Sequence, residues 1–471
     1  MFKCTGNCQA CGRCQNIFPN QVEKNIVFPE GYKFCNENLD ADYGKDDSSF
    51  GIAVDIGTTT VAAALWNLNT NEKIDTIGGV NPQRNFGADV LSRISFCLGS
   101  KEKHEKLRFP LMKTLEKMIK ELVSKSGIKL EQVVKCVFCG NTTMTLLFAG
   151  MSVDGLAQYP FTPDKTLEMN FDFYVDDHRI PSIIMAGISG HIGGDITAAM
   201  LACGMNQLDE NSILLDLGTN GEVICKIDGK LYGFSTAAGP AFEGANISCG
   251  MAATVGAIDR LNISDSYCKY HLIGEEENSS IDSVKRKVLG ICGTGLMSSI
   301  EELLAQKILN VHGDLCSWDD YKRFFPYNTI GKNIGEQKFV IVNQTDEQIE
   351  ISITQDDIRQ MQMAKAAILA GIKLLFKKVG CDLDSIKTVY LAGGFSKIPV
   401  STLTSLNIFP FDISGKLKCI GNGALTGATM VLLSKEMEEM SREFSNQVTR
   451  IELGSADDFQ NEFLCSFDFK I

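Results

Sequence analysis

Apolar residues run through this chain in short unbroken stretches, each closed by a turn of small residues, and one such unit occurs twice. Gly51-Ile-Ala-Val-Asp55-Ile-Gly57-Thr-Thr-Thr60 reads as a strand buried on both faces that enters a small-residue turn. A second strand over Val61–Asn67, a reverse turn around Asn69–Glu72 and a third strand follow. The unit returns as Ser212-Ile-Leu-Leu-Asp216-Leu-Gly218-Thr-Asn-Gly221, then strand Glu222–Ile227, turn Asp228-Gly229-Lys230 and strand Leu231–Ser235. Two apolar strands that each end in Asp-x-Gly-Thr and open a hairpin predict two similar half-domains facing one another.

Helical periodicity fills the segments between and after them. It predicts helices over Lys106–Ser126, around Pro110, and over His191–Met205, with a buried strand Val133–Cys139 leading into Gly140-Asn-Thr-Thr-Met144. A Gly/Ala-rich segment (Ala237–Gly256) and a strand–turn–helix unit (Leu289–Leu309) come next. Gln355–Val379 reads as the longest helix, with Met361, Ala364, Ile368, Ile372 and Leu375 on one face. A short strand Thr388–Ala392 ends in Gly393-Gly394, and a last helix, Ala424–Glu438, follows Gly421-Asn-Gly423. Alternating strands and helices predict an α/β fold. The expected organisation is a Cys-rich segment (1–35), an acidic linker (36–49), a first half (50–206), a second half (207–440) and a C-terminal extension packed on them (441–471).

Composition narrows the function classes. With 471 residues the chain exceeds one ordinary core, and 44% apolar with 22% charged residues is globular usage. A net charge of −13 argues against a nucleic-acid binder. No apolar run approaches the roughly 20 residues that span a bilayer, and no signal sequence opens the chain, so a cytoplasmic protein is expected. The 17 cysteines are odd in number and scattered through apolar segments, unlike a disulfide framework.

The paired turns have the chemistry of a nucleotide site. Glycine lets backbone N–H groups approach phosphate oxygens closely, and Gly57, Gly218 and Gly221 stand where that is needed. Thr58, Thr59, Thr60, Thr219 and Asn220 add polar side chains, and Asp55 and Asp216 are placed to hold hydrated Mg2+. These turns resemble the first and second phosphate loops of the acetate and sugar kinase, heat-shock ATPase and actin superfamily. That resemblance implies ATP as ligand, a duplicated actin-like (ribonuclease-H-like) ATPase domain, and Gly393 and Gly394 as its adenosine motif. A Walker-type P-loop is absent. Asp195, in Gly190-His-Ile-Gly-Gly-Asp195, could orient an attacking water or serve as a helix-terminal acid, and Glu243 is a second candidate for the water. His191 reads as structural.

Cys4, Cys8, Cys11 and Cys14 place four thiols within eleven residues, separated by three, two and two positions. One cramped run suits a 4Fe–4S cluster, and zinc is the alternative, although zinc sites usually use two separated pairs.

Residues 50–471 closely resemble the ATP-dependent reductive activators of corrinoid proteins. The resemblance is carried by Asn81-Pro-Gln-Arg-Asn-Phe-Gly-Ala-Asp89-Val-Leu-Ser-Arg93-Ile, Gly140-Asn-Thr-Thr-Met144, Ala237-Ala-Gly-Pro-Ala-Phe-Glu243-Gly, Gly290-Ile-Cys-Gly-Thr-Gly295 and Gly421-Asn-Gly-Ala-Leu-Thr-Gly-Ala428. It implies ATP-driven transfer of one low-potential electron from an iron–sulfur centre to a cobalt(II) corrinoid protein of a methyltransferase system. An external low-potential donor and a homodimer are implied as well; neither nucleic acid nor membrane is an expected partner. Familiar members begin with a plant-type ferredoxin domain (Cys-x4-Cys-x2-Cys), and here residues 1–49 stand in its place. The alternatives are an activator of another low-potential enzyme, such as a 2-hydroxyacyl-CoA dehydratase, or a small-molecule kinase.

Overall fold

The computed structural model describes residues 49–163, 168–205, 207, 209–264, 267–275, 287–327, 333–344, 349–395, 398–453 and 457–470. The four N-terminal cysteines, Cys4, Cys8, Cys11 and Cys14, lie outside the described residues, as does the predicted linker up to residue 48.

Each Asp-x-Gly-Thr unit opens a six-stranded sheet of its own, and the two sheets share a core arrangement. β1 (Phe50–Ile56), β2 (Thr60–Asn67) and β3 (Glu72–Val80) form an antiparallel meander, and β4 (Val133–Gly140) lies parallel to β1 on its other side. β5 (Met169–Val175) and β6 (His178–Ile184) complete the order β3-β2-β1-β4-β6-β5. The central position of β1 explains its unbroken apolar run: Ile52, Ala53 and Val54 are buried on both faces. The second meander is β7 (Ser212–Leu217), β8 (Gly221–Ile227) and β9 (Lys230–Thr236).

Two three-stranded sheets follow in sequence. One joins β10 (Ala257–Ile263), β11 (Cys268–Leu272) and β12 (Gly290–Ile291); the other joins β13 (Ile334–Gly335), β14 (Lys338–Gln344) and β15 (Ile349–Thr354). β16 (Thr388–Ala392), β17 (Leu417–Gly421) and β18 (Thr449–Arg450) then extend the second large sheet to β17-β16-β7-β8-β9-β18. β16 lies parallel to β7 as β4 does to β1. The fold is therefore the duplicated actin-like ATPase arrangement.

Helices cover the sheets. α1 (Val90–Cys97), α2 (Lys101–Ser126) and α3 (Thr142–Ala149) cover one face of the first sheet, where Leu107, Leu111 and Leu115 meet Ile52, Val54 and Phe138 in one core cluster. α4 (Gly194–Ala202) precedes the second meander; α5 (Gly293–Ala305), α6 (Trp318–Phe324), α7 (Gln355–Val379) and α8 (Val400–Ser405) belong to the second half. α9 (Gly423–Leu433), α10 (Lys435–Gln447) and α11 (Asp457–Cys465) close the chain. Among the described residues no helix is long and apolar enough to cross a membrane.

α4 and α9 form the layer between the two large sheets. Their core cluster takes Ala53 and Val137 from the first sheet and Leu214, Ile224 and Tyr390 from the second. The helices meet at backbone distance: a Cβ on Gly427 would lie 1.9 Å from the Ala198 carbonyl oxygen, and one on Gly423 3.1 Å from Ala199 Cβ.

Three helix boundaries differ from those expected, each for a local reason. α2 begins at Lys101 because the Ser100 hydroxyl caps it, accepting from the Lys103 N–H, and Pro110 is absorbed inside. The helix expected over His191–Met205 starts only at Gly194. Residues 188–192 form a turn closed by Ile188 and Ser189 N–H groups on the Ile192 carbonyl, and a Cβ on Gly193 would lie 2.5 Å from Asn141 Cα. The helix expected over Ala424–Glu438 is two helices, broken at Ser434, which is extended (φ −149°) and whose hydroxyl caps α10 by accepting from the Met437 N–H.

Gly427→Ala is expected to lower stability by about 1–3 kcal/mol through overpacking at the α4–α9 crossing. A fall in the urea midpoint at unchanged slope measures it; an unchanged midpoint would mean that the helices separate without cost.

Candidate nucleotide site

The first phosphate loop is held from beneath by the 81–93 segment. Asn81 Nδ2 donates to the Gly57 carbonyl at 2.8 Å, the Asn81 N–H to the Thr59 carbonyl at 3.0 Å, and Arg93 Nη2 to the Thr58 carbonyl at 2.6 Å. The N–H and C=O of a trans peptide point in opposite directions, so holding the Gly57 and Thr58 carbonyls below turns the Thr58 and Thr59 N–H groups the other way. Asn141, which caps α3, donates to Thr58 Oγ1 at 2.9 Å. The second loop is closed by the Gly218 N–H on the Asn220 carbonyl and by the Gly239 N–H on the Thr219 carbonyl.

Glu243 joins the two loops. Its Oε2 accepts from Thr59 Oγ1 at 2.5 Å, while Oε1 accepts from the Thr219 N–H at 2.8 Å and from Thr219 Oγ1 at 2.7 Å. One carboxylate thus occupies the position where donors from both halves converge. These groups border a cleft of about 300 Å³, walled by Gly57, Thr58, Thr59 and Thr60 from one half and by Gly218, Thr219, Asn220 and Gly394 from the other. Asp195, Asp216 and Glu222 supply its acidic wall.

Asp55, Gly221 and Gly393 are not among the residues that border the cleft. Asp55 Oδ2 accepts from Asn422 Nδ2 at 3.0 Å. Gly393 adopts φ +83°, and a Cβ there would lie 2.9 Å from Asp216 Oδ1, whereas a Cβ on Gly394 would meet open space. Gly221 is placed in packing: it starts β8, and a Cβ there would run into Ile368 at 2.8 Å. Asp195 occupies the first turn of α4 after Gly193, the capping residue, with Oδ1 accepting from the Ile196 N–H at 2.9 Å.

Burial raises the pKa values of Asp55, Asp195, Asp216 and Glu222. Asp55 is pushed up to about 6 by burial, which the Asn422 hydrogen bond partly offsets. Asp216 is pushed to about 7 by burial and by the Asp55 and Glu243 charges, and Asp195 to about 8 by burial and by Asp216 and Asp55. Glu222 rises well above its ordinary value for the same reasons. A cation in the cleft relieves such repulsion, and magnesium, which keeps its waters and takes one or two carboxylates plus phosphate oxygens, suits this donor set. Among the described residues no three His, Cys, Asp or Glu side chains converge to ligate an ion directly.

The two halves of the chain match two family profiles. "RACo middle region" matches residues 50–208, and "C-terminal domain of RACo the ASKHA domain" matches residues 210–470. The chain belongs to the RACo family. It is 30% identical over 460 residues to the corrinoid activation enzyme RamQ of Eubacterium limosum, covering 94% of this chain and 76% of that protein. It is 25% identical over 455 residues to a Co(II) methylated amine-specific corrinoid protein reductase of Methanosarcina barkeri, covering 89% and 77%. A solved reductive activator for a corrinoid, iron–sulfur protein superposes with a TM-score of 0.77 at 31% identity, covering 90% of this chain and 67% of that one.

Sequence reasoning did not assign roles to Asn81, Arg93, Asn141, Glu222 and Asn422. Four of them sit in the stretches that carry the family resemblance, which was a signal without a geometry. Glu222 is the residue paired with Asp216 across the β7–β8 ladder, and a hairpin register would have found it.

A second cavity, about 660 Å³, opens between the halves and reaches Asn220 of the second phosphate loop. His191 lines it against the Phe161 ring, at 4.9 Å, and burial lowers its pKa.

Folding raises the Asp55, Asp216 and Asp195 pKa values above the unfolded value of 3.8, so their protonated forms contribute stability present below about pH 4 and lost as pH rises through about 6, 7 and 8. Asp195→Asn removes one of these carboxylates. In magnesium-free buffer, thermal melts should show the variant gaining on the parent between about pH 4 and about pH 8. A pH-independent difference would show that the Asp195 charge is already compensated.

Proposed function

We propose that this protein is an ATP-dependent reductive activator, which returns a cobalt(II) corrinoid protein to the methyl-accepting cobalt(I) state. The observation that carries the reading is the pair of phosphate loops converging on one cleft, in a chain whose two halves match this family throughout. The relatives are corrinoid activators and reductases by name, which favours this reading over a kinase or an activator of a different low-potential enzyme.

ATP is the ligand that fits the cleft. Thr58, Thr59 and Thr219 present donors to the phosphates, Gly394 leaves open space beside the second loop for adenosine, and Asp55 and Asp216 are the residues that would hold hydrated magnesium. A triphosphate entering between the loops competes with Glu243 for the Thr59 and Thr219 hydroxyls. A Glu243 carboxylate released from them becomes a free acceptor for an attacking water, and Asp195 is the second group placed to orient it.

Cys4, Cys8, Cys11 and Cys14 are the thiols that would hold a 4Fe–4S cluster. When bound, such a cluster supplies one low-potential electron, replenished by an external reductant. ATP can favour the transfer only through different affinities for two arrangements of the halves, and a clamp built from both loops has that property. A homodimer is part of this proposal, as is a reducing cellular compartment.

The test is a cobalt(II)-to-cobalt(I) absorbance assay with a corrinoid protein, a reductant and MgATP under anaerobic conditions. The wild-type chain should convert its partner only with ATP present. Asp55→Ala and Asp216→Ala should lose at least about 100-fold in ATP-dependent turnover, as expected when electrostatic groups are removed from a preorganised site, at unchanged iron content. Full activity in either variant would refute the clamp assignment. Cys8→Ser should remove the visible chromophore; an unaltered spectrum would move the cluster elsewhere, and zinc in place of iron would remove the electron donor.

A further inference from the structure

We propose that Arg93 is a positioning residue that sets affinity for the nucleotide phosphates, by fixing the Thr58 peptide from beneath and by placing a permanent positive charge under the first phosphate loop. The inference rests on the ATP reading above. Arg93 is wholly buried, at 0% exposure. Its guanidinium donates to the Thr58 carbonyl at 2.6 Å, the Gly87 carbonyl at 3.0 Å and Gln83 Oε1 at 3.4 Å, and approaches Met144 Sδ at 2.9 Å. All four acceptors are neutral. Among the described residues no carboxylate stands within ion-pair distance of it.

A buried cation without a counter-ion is costly, and proteins keep one where it meets a charge that arrives later. Burial, with Arg84 adding to it, lowers the Arg93 pKa to about 10, which still leaves the group charged; Asp89 and Glu243 act on it only through space. The guanidinium holds the carbonyl of Thr58, a residue that itself borders the cleft. A hydrogen bond from a charged donor polarises that peptide, and the Thr59 N–H on its other side becomes a stronger donor. Arg93 therefore acts on phosphate without touching it. Its influence should scale with the number of phosphates and leave adenosine recognition unaffected, because Gly393 and Gly394 belong to the other half of the cleft.

The test is calorimetric titration of the full chain, as wild type, Arg93→Met and Arg93→Lys, with MgATP and separately with AMP, which lacks the two outer phosphates. Arg93→Met should weaken ATP binding about 10- to 100-fold while AMP binding changes less than about threefold, each tenfold loss being about 1.4 kcal/mol. Arg93→Lys keeps the charge and should hold the ATP-to-AMP affinity ratio within about fivefold of wild type. Unchanged ATP binding in Arg93→Met, or equal losses for ATP and AMP, would overturn the proposal and leave Arg93 a structural brace. If Arg93→Met does not fold, Arg93→Lys decides alone: a retained ratio supports the role of charge, and a ratio fallen by about tenfold or more overturns it. A wild-type chain that binds no ATP sinks the ATP reading itself, a result distinguishable from either variant outcome.

Discussion

The cleft depends on one close contact, the crossing of α4 and α9 between the two large sheets. Where Gly427 meets the Ala198 backbone there is no room for a side chain, and that approach sets how far apart the sheets stand. At this spacing the turns after β1 and β7 come near enough for one carboxylate, Glu243, to accept hydrogen bonds from Thr59 and Thr219 together. A wider crossing would leave two separate loops.

Around this crossing the protein accepts local arrangements that a purely stable fold would avoid. Asp55, Asp195, Asp216 and Glu222 are desolvated in one region, and the Asp55, Asp195 and Asp216 charges raise pKa values within the group. On the far side of the first loop, Arg93 is buried among neutral acceptors. Desolvated acids on one side and a buried guanidinium beneath the loop are the kind of perturbed ionisable groups that cluster at functional sites. Local stability is exchanged there for readiness to bind.

Membership of the RACo family gives this electrostatic pattern a purpose. On the function proposed above, nucleotide held by both halves would shift the balance between two docked arrangements, which an uphill electron transfer requires. The chain spans about three quarters of the length of the two named relatives.

Short-range pattern was enough to read the two meanders, the long helix Gln355–Val379 and the strand Thr388–Ala392, because burial on both faces and a 3.6-residue period leave direct marks on composition. Repetition of Asp-x-Gly-Thr showed the duplication, and the structure brings both turns to one cleft. Helix ends at Gly194 and Ser434 were not legible, since they depend on a glycine fitting under a neighbouring turn and on a cap that local periodicity does not register. Nor were the partners of the loops. Arg93 with Thr58, Asn422 with Asp55 and Glu243 with Thr59 are joined across 35, 367 and 184 positions of chain. Residue types and their local order determine which strands and turns form. Which carbonyl a buried guanidinium finds, and which acids are forced together, is decided by packing between distant segments, where no local pattern carries the information.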